Sequence, residues 1–137
     1  MAYLLDTNIL SELRKGERCD PHVREWALSV RRARHYISVL SLGEIRKGIE
    51  VLRRRSPEQC PAFENWLEHI KAHYADDILT LDETVLEEWG RLMSEKTLPA
   101  MDGLIAATAR VHELTVVTRN LKDFENAPVD ALNPFEG

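Results

Sequence analysis

Apolar and polar positions along the chain follow two alternating rhythms. Short β-branched, aromatic or leucine-rich runs occur at Tyr3-Leu4-Leu5, at 35–40, at Ile78-Leu79-Thr80-Leu81, at 114–118 and, more briefly, at 129–132. Such runs read as short buried strands. Between them apolar residues recur at helical spacing. A helix is expected at about 8–15, ending near Gly16. A second should run from Pro21 to about Arg34, with Val23, Trp26, Ala27 and Val30 on one face. A third starts at Ser41 and carries Leu42, Ile45, Ile49 and Leu52. After Ser56-Pro57 comes a fourth, with Phe63, Trp66, Leu67, Ile70 and Tyr74 as its stripe. Asp82 caps a fifth, facing inward through Val85, Leu86, Trp89, Leu92 and Met93, and Leu98-Pro99 breaks it. The sixth, from Met101 to about Glu113, is rich in small apolar residues. Strands alternating with helices predict an α/β domain around a parallel sheet.

The length of 137 residues fits one domain spanning 1–137, and 44% hydrophobic content supplies its core. No apolar run approaches the ~18 residues of a membrane span. The N-terminus lacks a basic segment and meets Asp6 after five residues, so no signal peptide is expected. Cys19 and Cys60 form neither a disulfide framework nor a metal-ligand spacing, which suits a reducing cytoplasm. The net charge of −5 argues against a generic polyanion binder, but the charges are unevenly spread. Residues 1–55 hold 12 Lys/Arg against 7 Asp/Glu; residues 56–137 hold 6 against 16. A basic rim beside an acidic pocket would follow, although two ordinary solvated faces give the same count.

In an open α/β sheet ligands collect beyond the carboxyl ends of the strands. Asp6, Thr7 and Asn8 follow the first strand, and Ser41-Leu42-Gly43-Glu44 the second. Asp102 opens the sixth helix, and Arg119-Asn120-Leu121-Lys122-Asp123 follow the fourth strand. Each acid has an ordinary reading. Ser41-x-x-Glu44 fits a capping box. Asp102 complements a helix dipole, and Asp123 can close a turn. Asp6 is the hardest to dismiss, because it directly ends a buried apolar run. Carboxylates that converge repel one another and need a cation or shared protons. Oxygen-only donors of this kind suit Mg²⁺, which keeps several waters and takes one or two direct carboxylates. Nucleotide-binding glycine loops, serine-nucleophile elbows and zinc-protease motifs are absent from the sequence. Arg46 and Lys47 sit close enough to Glu44 to be candidates for phosphate contact, or else they solvate the helix.

Four segments together resemble the PIN-domain proteins of the VapC/FitB toxin type. They are Leu4-Leu5-Asp6-Thr7-Asn8-Ile9-Leu10-Ser11-Glu12, then Ser38-Val39-Leu40-Ser41-Leu42-Gly43-Glu44-Ile45-Arg46-Lys47-Gly48, then Asp102-Gly103-Leu104-Ile105-Ala106-Ala107-Thr108-Ala109, and last Val117-Thr118-Arg119-Asn120-Leu121-Lys122-Asp123-Phe124. The closing Leu132-Asn133-Pro134-Phe135 resembles the FitB-like branch. The resemblance implies a PIN-like three-layer α/β/α sandwich with a central, mainly parallel sheet of four to five short strands. It also implies a Mg²⁺- or Mn²⁺-dependent endoribonuclease site. On that reading Asp6, Glu44, Asp102 and Asp123 are the catalytic acids, with Asp6 and Asp102 holding metal and Thr7, Asn8, Thr118 and Asn120 in support. Many members carry a further acid where this chain has Asn120, so one well-held ion is expected. The resemblance further implies the toxin of a type II toxin–antitoxin pair, a homodimer with a VapB/FitA-like antitoxin, acting on RNA such as tRNA, with no membrane association. A PIN-like module that binds RNA or a partner without catalysis, and a metal-dependent DNA nuclease, are the alternatives.

Overall fold

The computed structural model describes residues 1–136. Five strands, β1 (Ala2–Leu5), β2 (Arg34–Ser38), β3 (Ile78–Leu79), β4 (Thr115–Val117) and β5 (Ala131–Leu132), form one sheet in the order β3-β2-β1-β4-β5. Every pairing is parallel. Six α-helices flank it: α1 (Thr7–Leu13), α2 (Pro21–Ser29), α3 (Val39–Arg55), α4 (Cys60–His73), α5 (Glu83–Glu95) and α6 (Ala100–His112).

The period-two alternation of β1 decides the layers. Leu4 points into a core with Leu92 of α5, Ile105, Ala106 and Ala109 of α6, and Val116 and Phe124. Tyr3 and Leu5 point the other way, onto Ile9 and Leu10 of α1, Ile70 of α4 and Val117. The fold is therefore the expected α/β/α sandwich, with β1 buried on both faces at its centre. A third cluster, Ile45, Ile49, Cys60 and Leu67, fastens α3 to α4. Full burial of each aliphatic side chain contributes about 1.5–3 kcal/mol. The close approach of α5 to α6 depends on Gly103: a β-carbon there would stand 2.6 Å from Met93 Sδ and 3.2 Å from Trp89 Nε1.

Beyond β1 the strands are shorter than their apolar runs, the 35–40 run ending as a strand at Ser38, and the first helix stops at Leu13; two further boundaries also differ from the sequence reading. The second helix stops at Ser29, five residues early, because the chain must turn to enter the sheet at Arg34 opposite Ala2. His35 Nε2 meets the Val30 carbonyl at 3.0 Å across that turn. The third helix begins at Val39 and its cap is Ser38, whose hydroxyl accepts the Leu40 N–H at 3.0 Å; Ser41 lies inside the helix. The other expected caps, Asp20 and Asp82, hold as read. Among the described residues no helix is long and apolar enough to cross a membrane.

Sheet order sets the functional end. From β1 the chain moves outward to β2 and β3, then returns across β1 to β4 and β5. The order reverses between β1 and β4, and a crevice opens beyond the carboxyl ends of strands at such a switch point. Asp6 follows β1 directly and Thr118 follows β4 directly.

Candidate active site

Asp6 is the best-fixed acid of the crevice. Its backbone N–H donates to the Val117 carbonyl at 2.9 Å, extending the β1–β4 ladder by one residue. Its side chain caps α1: Oδ1 accepts the Thr7 N–H at 2.8 Å. Oδ2 accepts the Thr118 hydroxyl at 2.8 Å and, more loosely, the Asn8 amide at 3.4 Å. Each carboxylate oxygen offers two lone pairs, so Asp6 is oriented without being used up.

Thr118 is fully buried. Besides donating to Asp6, its hydroxyl accepts the Asn120 N–H at 3.0 Å. Asn8 spans the two loops, with its Oδ1 accepting the Arg119 N–H at 3.1 Å. Thr118 and Asn8 thus fix the loop after β4 against the loop after β1. Asn120 enters the cleft wall, and its structural contribution here is its backbone.

Glu44 comes from the second turn of α3. The capping-box reading of Ser41 and Glu44 is overturned, because Ser38 has taken the cap. Glu44 reaches across to α1 instead, where its Oε1 accepts the Thr7 hydroxyl at 2.7 Å. Ser41 Oγ lies 2.8 Å from the same hydroxyl. Thr7 has one proton, and the carboxylate takes it; the buried Ser41 hydroxyl then supplies the other hydrogen bond. Sequence reasoning missed this use of Ser41. The signal was present in two serines, Ser38 and Ser41, of which only one could cap.

Asp102 stands in the first turn of α6, half-buried in the cleft beside Leu40, Met101 and Ile105. Burial, reinforced by the charges of Asp123, Asp6 and Glu44, pushes its carboxyl up to about 6. Asp123 lies on a short 3₁₀ turn, Leu121–Phe124, which the buried Phe124 anchors beneath α6. Asp6, Thr7, Asn8, Glu44, Asp102 and Asn120 line one cleft of about 350 Å³, with Ser11, Leu40, Met101 and Ile105 completing it. Asp123 stays outside the cleft lining and acts on Asp102 through its charge.

Among the described residues none of these four acids forms an ion pair with a lysine, arginine or histidine. Nor do any three acids, imidazoles or thiols there enclose an ion by themselves. The polar side chains that line the cleft present oxygen donors, with the amide nitrogens of Asn8 and Asn120 beside them. The basic candidates diverge. Arg46 turns to α4 and clamps Glu64 through two hydrogen bonds of 2.9 Å, with a third to Glu50 at 3.1 Å. Lys47 faces the other side of Glu44, in a recess with Val39, Val51 and Met101.

The chain matches the model of the PIN domain family over residues 3–129. It is 33% identical to Toxin FitB of Neisseria gonorrhoeae, over 96% of this chain and 97% of that protein. It is also 33% identical to VapC ribonuclease Y4jK of Sinorhizobium fredii, over 97% of each chain. The crystal structure of FitAcB from Neisseria gonorrhoeae contains a chain that superposes with a TM-score of 0.85 at 32% identity, over 98% of this chain and 99% of that one.

Proposed function

The chain belongs to the PIN domain family, and on that premise we propose that it is a metal-dependent endoribonuclease of the VapC/FitB type, the toxin of a toxin–antitoxin pair. The observation that carries the reading is the uncompensated acid cluster. Four carboxylates act on one cleft at the switch point, and burial, reinforced by its three acidic neighbours, holds Asp102 well above the usual carboxylate range. Such an arrangement costs stability unless something positive binds there.

The donor set fits Mg²⁺ or Mn²⁺, all oxygen and mostly carboxylate. Asp6 and Asp102 would hold the ion. When bound, it supplies a more acidic water and neutralises charge on a phosphodiester. The rest belongs to the chain. Thr118 and the Thr7 N–H keep both Asp6 oxygens in one orientation. Thr7 holds Glu44 toward the cleft, leaving Oε2 free to accept a proton from an attacking water. Asp123 adds negative charge, and Asn120 offers an amide where a further acid would repel.

The relatives and solved neighbours named as FitAB and VapBC complexes support an antitoxin partner. A positive side chain of that partner entering the cleft would relieve the same repulsion that a metal does. A homodimer belongs to this reading too, and the exposed Val39, Val51 and Met101 offer an apolar face for it beside Glu44. The cytoplasm is where such an enzyme meets its RNA, tRNA included.

The test offers purified, partner-free protein total tRNA, an unstructured RNA and a DNA strand of matched sequence, with Mg²⁺ or Mn²⁺. Internal cleavage of RNA with the DNA intact is expected. Cleavage of the DNA alone would make the protein a DNA nuclease; binding without cleavage of any strand would make it a non-catalytic module.

A further inference from the structure

A second recess, of about 320 Å³, adjoins the acid cleft between α1, α3 and α4, with Ile45, Ile49 and Leu52 on its α3 side. Thr7, Ser11 and Glu44 line both spaces, so the recess borders the acid cleft across these side chains. The far wall of the recess is aromatic. Phe63 and Trp66 stand edge to face with ring centroids 6.4 Å apart, and both remain part-exposed. The Arg14 guanidinium lies 4.3 Å from the Phe63 ring centre and 5.7 Å from that of Trp66. Nearby Arg46 and Arg53 are tied up with Glu50 and Glu64. Arg14, among the described residues, has no carboxylate partner.

Resting on the nuclease reading above, we propose that this recess is a base subsite, which takes one nucleobase beside the scissile phosphate of an unpaired RNA strand. A phosphodiester seated at the acids carries a nucleoside on each side, and the recess begins at the same residues that hold Glu44. Unpaired bases are recognised by stacking on aromatic rings and guanidinium planes. Phe63 and Trp66 supply the aromatic surface inside the recess, and Arg14, outside its lining, stacks on the same two rings. The volume falls at the small end of organic-ligand pockets, about 300 Å³ and upward. The Ser11 hydroxyl, on the rim, offers a hydrogen bond to a base edge, and the Arg14 charge faces an adjoining phosphate. A base within a duplex is already stacked and paired, so the subsite selects single strands, loops or ends.

The experiment measures the affinity of the full-length Asp102→Asn protein, which leaves the RNA uncut, by anisotropy of end-labelled probes in Mg²⁺. The probes are a mixed-sequence single-stranded RNA, an abasic ribose-phosphate strand of the same length, and the corresponding duplex. The intact single strand is expected to bind roughly 5- to 100-fold more tightly than the abasic strand, the range that stacking of one base covers. Adding Trp66→Leu or, separately, Phe63→Leu is expected to bring that ratio toward one; if one variant fails to fold by circular dichroism, the other decides. Equal binding of intact and abasic strands, tighter binding of the duplex, or a preference retained in both variants overturns the proposal. The last outcome would place base recognition outside the recess. No hydrolysis enters these measurements. Base-selective binding without cleavage by the unmodified protein would overturn the nuclease reading and leave the subsite standing, and cleavage without base preference would do the reverse.

Discussion

Replacing Asp102 with asparagine should stabilise the metal-free protein, and the size of the effect follows from the cleft. Burial and three neighbouring carboxylates raise this carboxyl from 3.8 to about 6. That displacement corresponds to ~3 kcal/mol between its protonation states. Asp102 is part-exposed, so solvent screening reduces the figure to ~1–2 kcal/mol. Removing an anion from the first turn of α6 gives back ~0.5 kcal/mol. Among the described residues no side-chain hydrogen bond involves Asp102, so the amide loses no partner. The net gain is about 1 kcal/mol, or roughly 3–5 °C in Tm for a chain of this size.

The pH dependence has a definite sign. The folded-state value lies above the unfolded one, so ionising Asp102 costs the folded protein its full penalty only above about pH 6. The variant's advantage should therefore be complete in EDTA near neutral pH, shrink as the pH falls through 6, and vanish by about pH 4. Added Mg²⁺ should reverse the order, since ligand binding stabilises the native wild type by about 1.4 kcal/mol at tenfold excess over Kd. Calorimetric melts of both proteins across this range decide the matter. A variant that melts below wild type in EDTA at neutral pH would falsify the reasoning, and so would an advantage that persists unchanged at pH 4.

Thr118→Val should leave the Asn120 N–H unanswered and Asp6 Oδ2 with only the looser Asn8 amide, costing about 1–3 kcal/mol. It should also lower cleavage by about tenfold or more, because Asp6 loses its orientation. Denaturant melts and initial rates would check both, and wild-type rates would remove Thr118 from the machinery. Gly103→Ala brings a β-carbon against Met93 and Trp89. It should destabilise by about 1–3 kcal/mol of overpacking, less up to ~1 kcal/mol of helix propensity; a rise in Tm would show that α5 yields freely. Glu12 is buried and accepts the Asp20 N–H at 2.7 Å and Lys15 Nζ at 3.0 Å, which hold its carboxyl below the usual range. Its contribution is present above the unfolded value near 4.5 and lost as the pH falls through the lower folded one. Glu12→Gln should therefore cost about 2 kcal/mol at neutral pH and little in acid. Equal losses at both pH values would contradict this.

Much of the site was legible because its residues sit where strands end. Asp6 stops a run of buried apolar residues and Thr118 ends another, and a parallel sheet brings such positions together whatever the helices do. Asp102 was legible as a first-turn acid, but its raised carboxyl was not, since that depends first on burial in the cleft and then on Asp123 approaching from a separate turn. The helix boundaries were less readable. The segment Val30-Arg31-Arg32-Ala33 contains neither glycine nor proline, and only the demand to pair Arg34 with Ala2 ends α2 there. Ser38 and Ser41 were interchangeable as caps on local grounds. The long-range bond from Thr7 chose between them, and it turned Glu44 from a capping residue into a cleft residue. Arg46 looked free for phosphate because its partner Glu64 lies 18 positions later, on another helix.

The central claim is that the acid cleft is a metal-dependent centre for cutting RNA. The most direct measurement follows cleavage of total tRNA by partner-free protein in Mg²⁺ or Mn²⁺, in EDTA, and by the Asp102→Asn variant under both conditions. Cutting that requires the metal and disappears in a folded variant is the predicted result. Full activity in the variant, undiminished cutting in EDTA, or no cutting by folded wild type would contradict it.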